Sequence, residues 1–205
     1  MKTPILAALA FSSASFSAHA TIIMLENGDF ESTTQNAFAN GFDDNGGYDT
    51  PGWQDFSPPL NDAGVEGAGA WWGTFSGYSA FLAQGDGTYL LTNHVIAADD
   101  IYDVSLMAKS WDNASGLTLT LFAGSDPNLN TIGTFNSSVD GTWTEYSDNI
   151  AATAGVVGQN LGILVLNPDG GFLNFDNVAI TVVPEPSSVV ILGCALLTGF
   201  LRRRR

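Results

Sequence analysis

The sequence has little cysteine, histidine or positive charge. Of its 205 residues one is cysteine, two are histidine and six are lysine or arginine, against 21 aspartates and glutamates. The lone Cys194 excludes a disulfide within the chain. Five of the six basic residues lie near the two ends, so residues 21–183 keep Lys109 as their only base and all but one of the acidic residues. A surface this acidic repels phosphate, which argues against nucleic-acid binding.

The scarcity of histidine also argues against the common catalytic systems. Beyond the first 20 residues only His94 remains, in the strand-like stretch LLTNHVIA and without a Gly-x-Ser-x-Gly motif near it. The sequence has no phosphate-binding glycine loop, no His-Glu-x-x-His motif and no cysteine cluster. Carboxylates are plentiful, so an extracellular hydrolase that uses two of them stays open, although nothing in the sequence selects a pair. We expect that the protein is not an enzyme.

The pattern between the ends is typical of an all-β protein. Short alternating stretches such as YLLTNHVI, LTLTLFAG and FLNFDNVAITVV are separated by Gly, Asn, Asp and Ser. Leu117, Leu119 and Leu121 share one face of such a strand, and Thr118 and Thr120 share the other. We predict an antiparallel β-sandwich (jelly roll) over residues 21–183. The glycine- and proline-rich region from residue 35 to 69 is predicted to form long surface loops with one or two short strands around Trp53.

Both ends have the composition of processing segments. The sequence MKTPILAALAFSSASFSAHA combines Lys2, an apolar stretch, and alanines at positions 18 and 20 that fit a secretory cleavage site. Its apolar run is shorter than the roughly 20 residues that a transmembrane helix needs. We therefore expect residues 1–20 to be a signal peptide, removed by signal peptidase, and the mature chain to begin near Thr21.

The last 22 residues, 184–205, read PEPSSVVILGCALLTGFLRRRR. The prolines end the last strand, and the apolar segment at about 187–201 predicts a minimal single transmembrane helix. We expect the four terminal arginines to stay on the cytoplasmic side and to stop transfer through the membrane. They are Arg202, Arg203, Arg204 and Arg205. The exported domain then lies on the far side of the membrane.

The order of these parts resembles the PEP-CTERM sorting signal of Gram-negative bacteria that produce exopolysaccharide. That resemblance implies that an exosortase recognises Pro184, Glu185 and Pro186, removes the apolar tail, and passes the protein to the cell surface or extracellular matrix. A tail anchor that stays in the inner membrane is the alternative.

Four stretches, MLENGDFES, TPGW, GTWTEYS and NFDNVAIT, occur in the order seen in galactose-binding-like jelly rolls, and the domain resembles those of many carbohydrate-binding modules. The resemblance implies a structural Ca²⁺ site with side-chain ligands from Glu31 and Asp176, the backbone carbonyl of Asp29, and carbonyls near 76–79. Oxygen ligands suit such a hard cation. The alternative is that these acids are solvated turn residues and no ion binds.

Exposed aromatic rings are the usual contact surface for sugars, because the C–H faces of a sugar pack on a π-surface. The candidates for ligand binding are Trp53, Trp71, Trp72 and Trp111, whereas Trp143 is predicted to lie in the core. The alternative is that all five tryptophans pack inside the fold. We expect an exported, non-catalytic component of the cell surface or biofilm matrix, with a module that binds an extracellular polysaccharide as the alternative.

Overall fold

The alternating stretches form antiparallel strands in a computed structural model of the chain. The structure describes residues 20–32, 39–40, 50–56, 62–67, 74–112 and 114–183. A short 3-10 helix, Ala154–Val156, lies between the tenth and eleventh strands. The strands in the described ranges are β1 (Thr21–Ile23), β2 (Ala39–Asn40), β3 (Trp53–Phe56), β4 (Ala63–Glu66), β5 (Ser79–Leu82), β6 (Gly87–Val95), β7 (Ile101–Ser110), β8 (Ser115–Ala123), β9 (Thr131–Val139), β10 (Thr144–Ala151), β11 (Asn160–Leu166) and β12 (Leu173–Val183).

The strands make two sheets that pack face to face. The larger sheet has the order β10-β7-β12-β5-β4-β2, with β1 also paired to β12, and the smaller has the order β3-β6-β11-β8-β9. All described pairings are antiparallel. The prediction of an all-β antiparallel sandwich is confirmed, and the expected short strand at Trp53 is β3.

The core lies between the two sheets and follows the period-2 alternation. On β8, Leu117, Leu119 and Leu121 are buried in the core, and the threonines between them face the other way. A fully buried leucine contributes about 1.5–3 kcal/mol relative to an exposed one, so each of these three leucines stabilises the sandwich by about that amount.

An aromatic cluster closes the core near the amino end of the domain. The ring of Trp53 lies 5.2 Å from that of Phe30 and 6.1 Å from that of Phe175, and Phe30 meets Phe175 edge-on at 5.4 Å. The indole N–H of Trp53 donates to the carbonyl of Asn27 at 3.0 Å. Phe30 has a φ of 55°, an unusual conformation for a bulky residue, and the cluster holds it there. The turn that precedes Glu31 is therefore fixed by core packing.

A bulge in β12 docks against the same turn. The register of β12 with β7 shifts between Asp176 and Ala179, and Asn177 has a φ of 50°. The N–H of Val178 donates to the carbonyl of Gly28 at 2.9 Å, and a Cβ on Gly28 would lie 2.6 Å from the Val178 carbonyl oxygen. The turn and the bulge approach each other so closely that no residue larger than glycine fits at position 28.

Several sequence predictions fall outside the described residues. These are the signal peptide apart from its last residue, the segment 184–205 with its Pro-Glu-Pro triplet and arginines, and both Trp71 and Trp72. Across the ranges that the structure does describe, no helix combines the length and apolarity needed to cross a membrane.

Candidate cation site and ligand-binding face

The turn after β1 places the carboxylate of Glu31 against the segment that leads into β5. The backbone N–H of Tyr78 donates to Oε1 of Glu31 at 2.9 Å. Gly77, with a φ of 47°, packs directly on this carboxylate, so any side chain there would collide with it. Asp29 is exposed, and its Oδ1 accepts the N–H of Glu31 at 3.3 Å, which stabilises the turn.

Asp176, at the bulge of β12, reaches the same segment from the other side and is fully buried. Its carboxylate accepts the N–H of Asn177 at 2.6 Å and the hydroxyl of Ser79 at 3.3 Å. Burial raises the pKa of Asp176 to about 7; the hydrogen bonds from Asn177, Ser79 and Ser76 oppose this rise, and the negative charge of Glu31 adds to it. The ionised form of Asp176 therefore favours a positive charge nearby.

The structure thus brings together the predicted ligands Glu31 and Asp176 and the segment 76–79. In the described ranges, no group of three or more His, Cys, Asp or Glu side chains is placed to hold a metal. A cation here would draw on two carboxylates and on backbone carbonyls, which is a donor set that suits Ca²⁺. The two carboxylates are of the chemical type that Ca²⁺ prefers, and the binding of an ion stays a prediction.

A second buried polar group lies on the outer face of the larger sheet. Glu66 and Asn174 are 1% and 0% exposed, and the side-chain amide of Asn174 donates to Oε1 of Glu66. Burial raises the pKa of Glu66 to about 7, against the lowering effects of the Lys109 charge and the Asn174 hydrogen bond. Glu66 is thus a buried acid that sequence analysis did not single out.

The outer face of the smaller sheet carries a row of side chains that crosses all five strands. Tyr89 pairs with Gln54 on one side and with Leu164 on the other, Leu164 pairs with Thr120, and Thr120 pairs with Thr134. We call these five residues the Tyr89 row. Gln54 and Thr134 are exposed and Tyr89 is half-buried, whereas Leu164 and Thr120 are buried.

Hydrogen bonds and ring contacts fix the Tyr89 row. The hydroxyl of Tyr89 donates to Oε1 of Gln54 at 2.5 Å, and the two threonine hydroxyls lie 3.1 Å apart. The Tyr89 ring meets Phe122 edge-on at 6.1 Å, and Phe122 lies over Gly162 so closely that a Cβ there would overlap it. By strand alternation, no charged residue of the five described strands points outward on this face. The face combines an aromatic ring with neutral hydrogen-bonding groups.

The tryptophans occupy different environments. Trp53 is 2% exposed and packs in the core, so its ring offers no face to a ligand. Trp111 is 48% exposed after β7, with its ring 6.4 Å from that of Phe172. Trp143, predicted to lie in the core, is half-buried outside it, against Phe75 at 5.5 Å; it precedes β10 rather than lying within a strand.

His94 lies on β6 and takes part in contacts that link two strands. Its Nε2 lies 3.2 Å from Oδ2 of Asp100, and the same oxygen accepts the hydroxyl of Tyr102 at 3.0 Å and the N–H of Ala97 at 2.8 Å. Burial, together with the hydrogen bond to Asp100, raises the pKa of Tyr102. These contacts join the end of β6 to the start of β7.

The solved structures that this chain resembles include jelly-roll domains of carbohydrate-binding modules. A CBM4 module superposes with a TM-score of 0.53 over 78% of this chain and 99% of its own, at 14% identity. The CBM22-1 xylan-binding domain of Paenibacillus barcinonensis Xyn10C superposes with a TM-score of 0.52 over 82% of this chain and 98% of its own, also at 14% identity. At such identity the likeness shows the fold alone. No protein-family model matches the sequence, and no curated protein matches it.

Proposed function

We propose that the domain is a non-catalytic module that binds an extracellular polysaccharide through the outer face of its smaller sheet. The observation that carries this proposal is the Tyr89 row, in which the exposed Gln54 amide and the half-buried Tyr89 ring lie at one end and the exposed Thr134 hydroxyl lies at the other. The buried Leu164 and Thr120 stand between them. The fold that it shares with carbohydrate-binding modules supports the proposal.

The chemistry of the row suits a neutral sugar chain. The C–H face of a sugar packs on the ring of Tyr89, and the Gln54 amide and Thr134 hydroxyl exchange hydrogen bonds with sugar hydroxyls. Five strands at 4.7–4.9 Å spacing make a face roughly 19 Å wide, which is enough for several sugar units in an extended chain. Such a face recognises a segment within a polysaccharide rather than its end.

A Ca²⁺ ion held by Glu31 and Asp176 would stabilise the turn near the amino end of the module. The ion would neutralise two neighbouring carboxylates and tie the turn after β1 to β12 and to the start of β5. Its role would be structural, because Asp176 lies on β12 of the larger sheet and Glu31 lies in the turn after β1, whereas the Tyr89 row lies on the smaller sheet.

The proposed place of action is the bacterial surface. The sequence of residues 1–20 and 184–205 supports export, transient anchoring in the inner membrane and sorting by an exosortase. A polysaccharide-binding module released by this route would meet the exopolysaccharide and hold the protein in the matrix.

Affinity electrophoresis in gels that contain neutral and acidic polysaccharides tests the binding. We expect at least one neutral polysaccharide to retard the wild-type protein, and Tyr89→Ala or Gln54→Ala to weaken the affinity about tenfold, or about 1.4 kcal/mol. Asn149→Ala, which alters an exposed residue of β10 on the larger sheet, is the matched control and should migrate as wild type. If no polysaccharide retards the wild type, the proposal is wrong.

A further inference from the structure

The outer face of the larger sheet places the only lysine or arginine of residues 21–183 beside an asparagine. Lys109 on β7 and Asn174 on β12 are directly opposite each other in the register of these two strands. Opposed residues of antiparallel strands point to the same face, with their Cβ atoms about 4.5–5.5 Å apart. The flexible four-carbon stem of a lysine is long enough to bring its amine to the side-chain amide of an asparagine at this separation.

The amide of Asn174 is buried and only partly satisfied. Asn174 is 0% exposed, and its Nδ2 donates to Oε1 of Glu66. Within the described part of the chain, its Oδ1 is buried and has no hydrogen-bond partner. Phe81, which is opposite Asn174 on β5, is buried as well. Because an unsatisfied buried oxygen is costly, an asparagine is a poor choice for a purely structural role at this position.

Glu66 lies at the nitrogen of the same amide and can carry protons. It is 1% exposed on β4, and it feels the charge of Lys109, so the three side chains form one cluster. Burial raises the pKa of Glu66 to about 7. A carboxyl group with such a pKa both accepts and donates protons near neutral pH. Its Oε1 is hydrogen-bonded to Nδ2 of Asn174, the atom that leaves when a nucleophile attacks the amide carbon.

We propose that Lys109 and Asn174 become joined by an intramolecular isopeptide bond, and that Glu66 catalyses its formation. Nζ of Lys109 attacks Cγ of Asn174, so that the Nζ–Cγ bond forms and the Cγ–Nδ2 bond breaks. Glu66 takes the two protons that the ammonium group of Lys109 gives up and passes them to Nδ2, which leaves as an ammonium ion. The step involves no oxidation or reduction. The strand register holds the reacting groups side by side, which favours attack on an otherwise unreactive amide.

The bond ties β7 to the start of β12 and closes a loop that contains β8, β9, β10 and β11. Since Cys194 is the only cysteine, a disulfide within the chain cannot do this. A covalent link of this kind restricts the unfolded chain as a disulfide does. It should raise the melting temperature by on the order of 10 °C.

Intact mass spectrometry and trypsin digestion of the purified full chain test the bond. We expect the mass of the wild-type protein to be lower than the calculated mass of its chain by one ammonia molecule. Trypsin cleaves after unmodified lysine and arginine, and Lys109 is the only such residue between positions 21 and 183. The denatured wild-type protein should therefore resist cleavage in this range. Chymotrypsin should release one branched peptide that contains both Lys109 and Asn174.

Two variants remove the bond in different ways. Lys109→Arg keeps the positive charge but lacks the nucleophilic amine, and Glu66→Gln removes the proton carrier. Both should have their full calculated masses, be cut after position 109 when denatured, and melt on the order of 10 °C lower than wild type. Thermal unfolding also verifies that each variant folds. The matched controls are Asn149→Ala and Glu145→Gln, which change exposed residues of β10 and should lose ammonia as wild type does.

Each outcome supports or overturns the proposal. A folded wild-type protein that has its full calculated mass, or that trypsin cuts after Lys109 once it is denatured, does not contain the bond. A loss of ammonia without the branched peptide comes from another asparagine and also overturns the proposal. If the branched peptide persists in Glu66→Gln, the bond exists but Glu66 does not catalyse its formation.

Discussion

Among single residues, Glu66 and Trp53 show where sequence reasoning reaches its limit. The short strand expected around Trp53 is β3, but the sequence does not show that the Trp53 ring packs in the core, because Phe30 and Phe175 come from distant parts of the chain to meet it. Glu66 ends a four-residue strand, and its burial on the outer face is equally a product of the tertiary fold. Local composition carries no information about either environment.

Glu66 gives a prediction about stability and pH. Its folded pKa of about 7 lies above the ordinary value of 4.5, so the folded state binds the proton more tightly than the unfolded state. The contribution of Glu66 to stability is therefore present below about pH 4.5 and is lost as the pH rises through about 7. Urea unfolding measured across this pH range should show that the free energy of unfolding falls less steeply with rising pH for Glu66→Gln than for wild type.

The control for this experiment is Glu145→Gln, which changes an exposed glutamate on β10. It should preserve the wild-type dependence on pH. If the free energy of unfolding depends on pH in the same way for Glu66→Gln and wild type, the buried carboxylate of Glu66 is not the source of that dependence.

For the strands and turns, alternation predicted some elements well and others poorly. On β8 every apolar residue that the pattern assigned to the core lies there, because Leu and Thr alternate strictly. On β6 the sequence GTYLLTNHV places apolar residues on both faces, so it cannot show that Leu90 enters the core while Tyr89 faces outward. The Tyr89 row was missed for this reason, and only the pairing of five strands makes it visible.

The turn after β1, the bulge of β12 and the start of β5 give a prediction about calcium. Ca²⁺ should raise the melting temperature of the protein, because it would neutralise two carboxylates on one segment, where Tyr78 binds Glu31 and Ser79 binds Asp176. The rise should be larger above about pH 7 than below it, since binding requires the ionised form of Asp176. EDTA should reverse the rise.

Asp176→Asn should abolish the response to Ca²⁺ in differential scanning calorimetry. The matched control is Asp148→Asn, an exposed aspartate of β10, which should respond as wild type does. A wild-type melting temperature that ignores both Ca²⁺ and EDTA would contradict the site.

At the scale of the whole molecule, the sequence predicted the fold class, but it did not predict the Tyr89 row on which the proposed function rests. Strand periodicity and the order of MLENGDFES, TPGW, GTWTEYS and NFDNVAIT indicated a jelly roll, and the sandwich agrees. A binding face depends on which outward side chains the register aligns, and register is set by contacts between strands far apart in the sequence. Of the tryptophans first singled out, Trp53 lies in the core and Trp111 is exposed, and the Tyr89 row was not predicted.

The processing of the two ends is a prediction about the complete protein. Intact mass spectrometry of the protein isolated from its native bacterium should give a chain that begins near Thr21 and lacks the residues beyond the Pro184–Pro186 triplet. An exported protein whose mass still includes Arg202 to Arg205 would show that the tail is an anchor and that an exosortase does not remove it.

The most direct test of the central claim maps the binding of a neutral oligosaccharide onto the protein. With a fragment of the polysaccharide that retards the protein most, backbone amide signals of β3, β6, β11 and β8 around Gln54, Tyr89 and Leu164 should shift on titration, and Tyr89→Ala should remove the shifts. If the largest shifts fall on the larger sheet instead, or persist undiminished in Tyr89→Ala, the polysaccharide does not bind through the Tyr89 row.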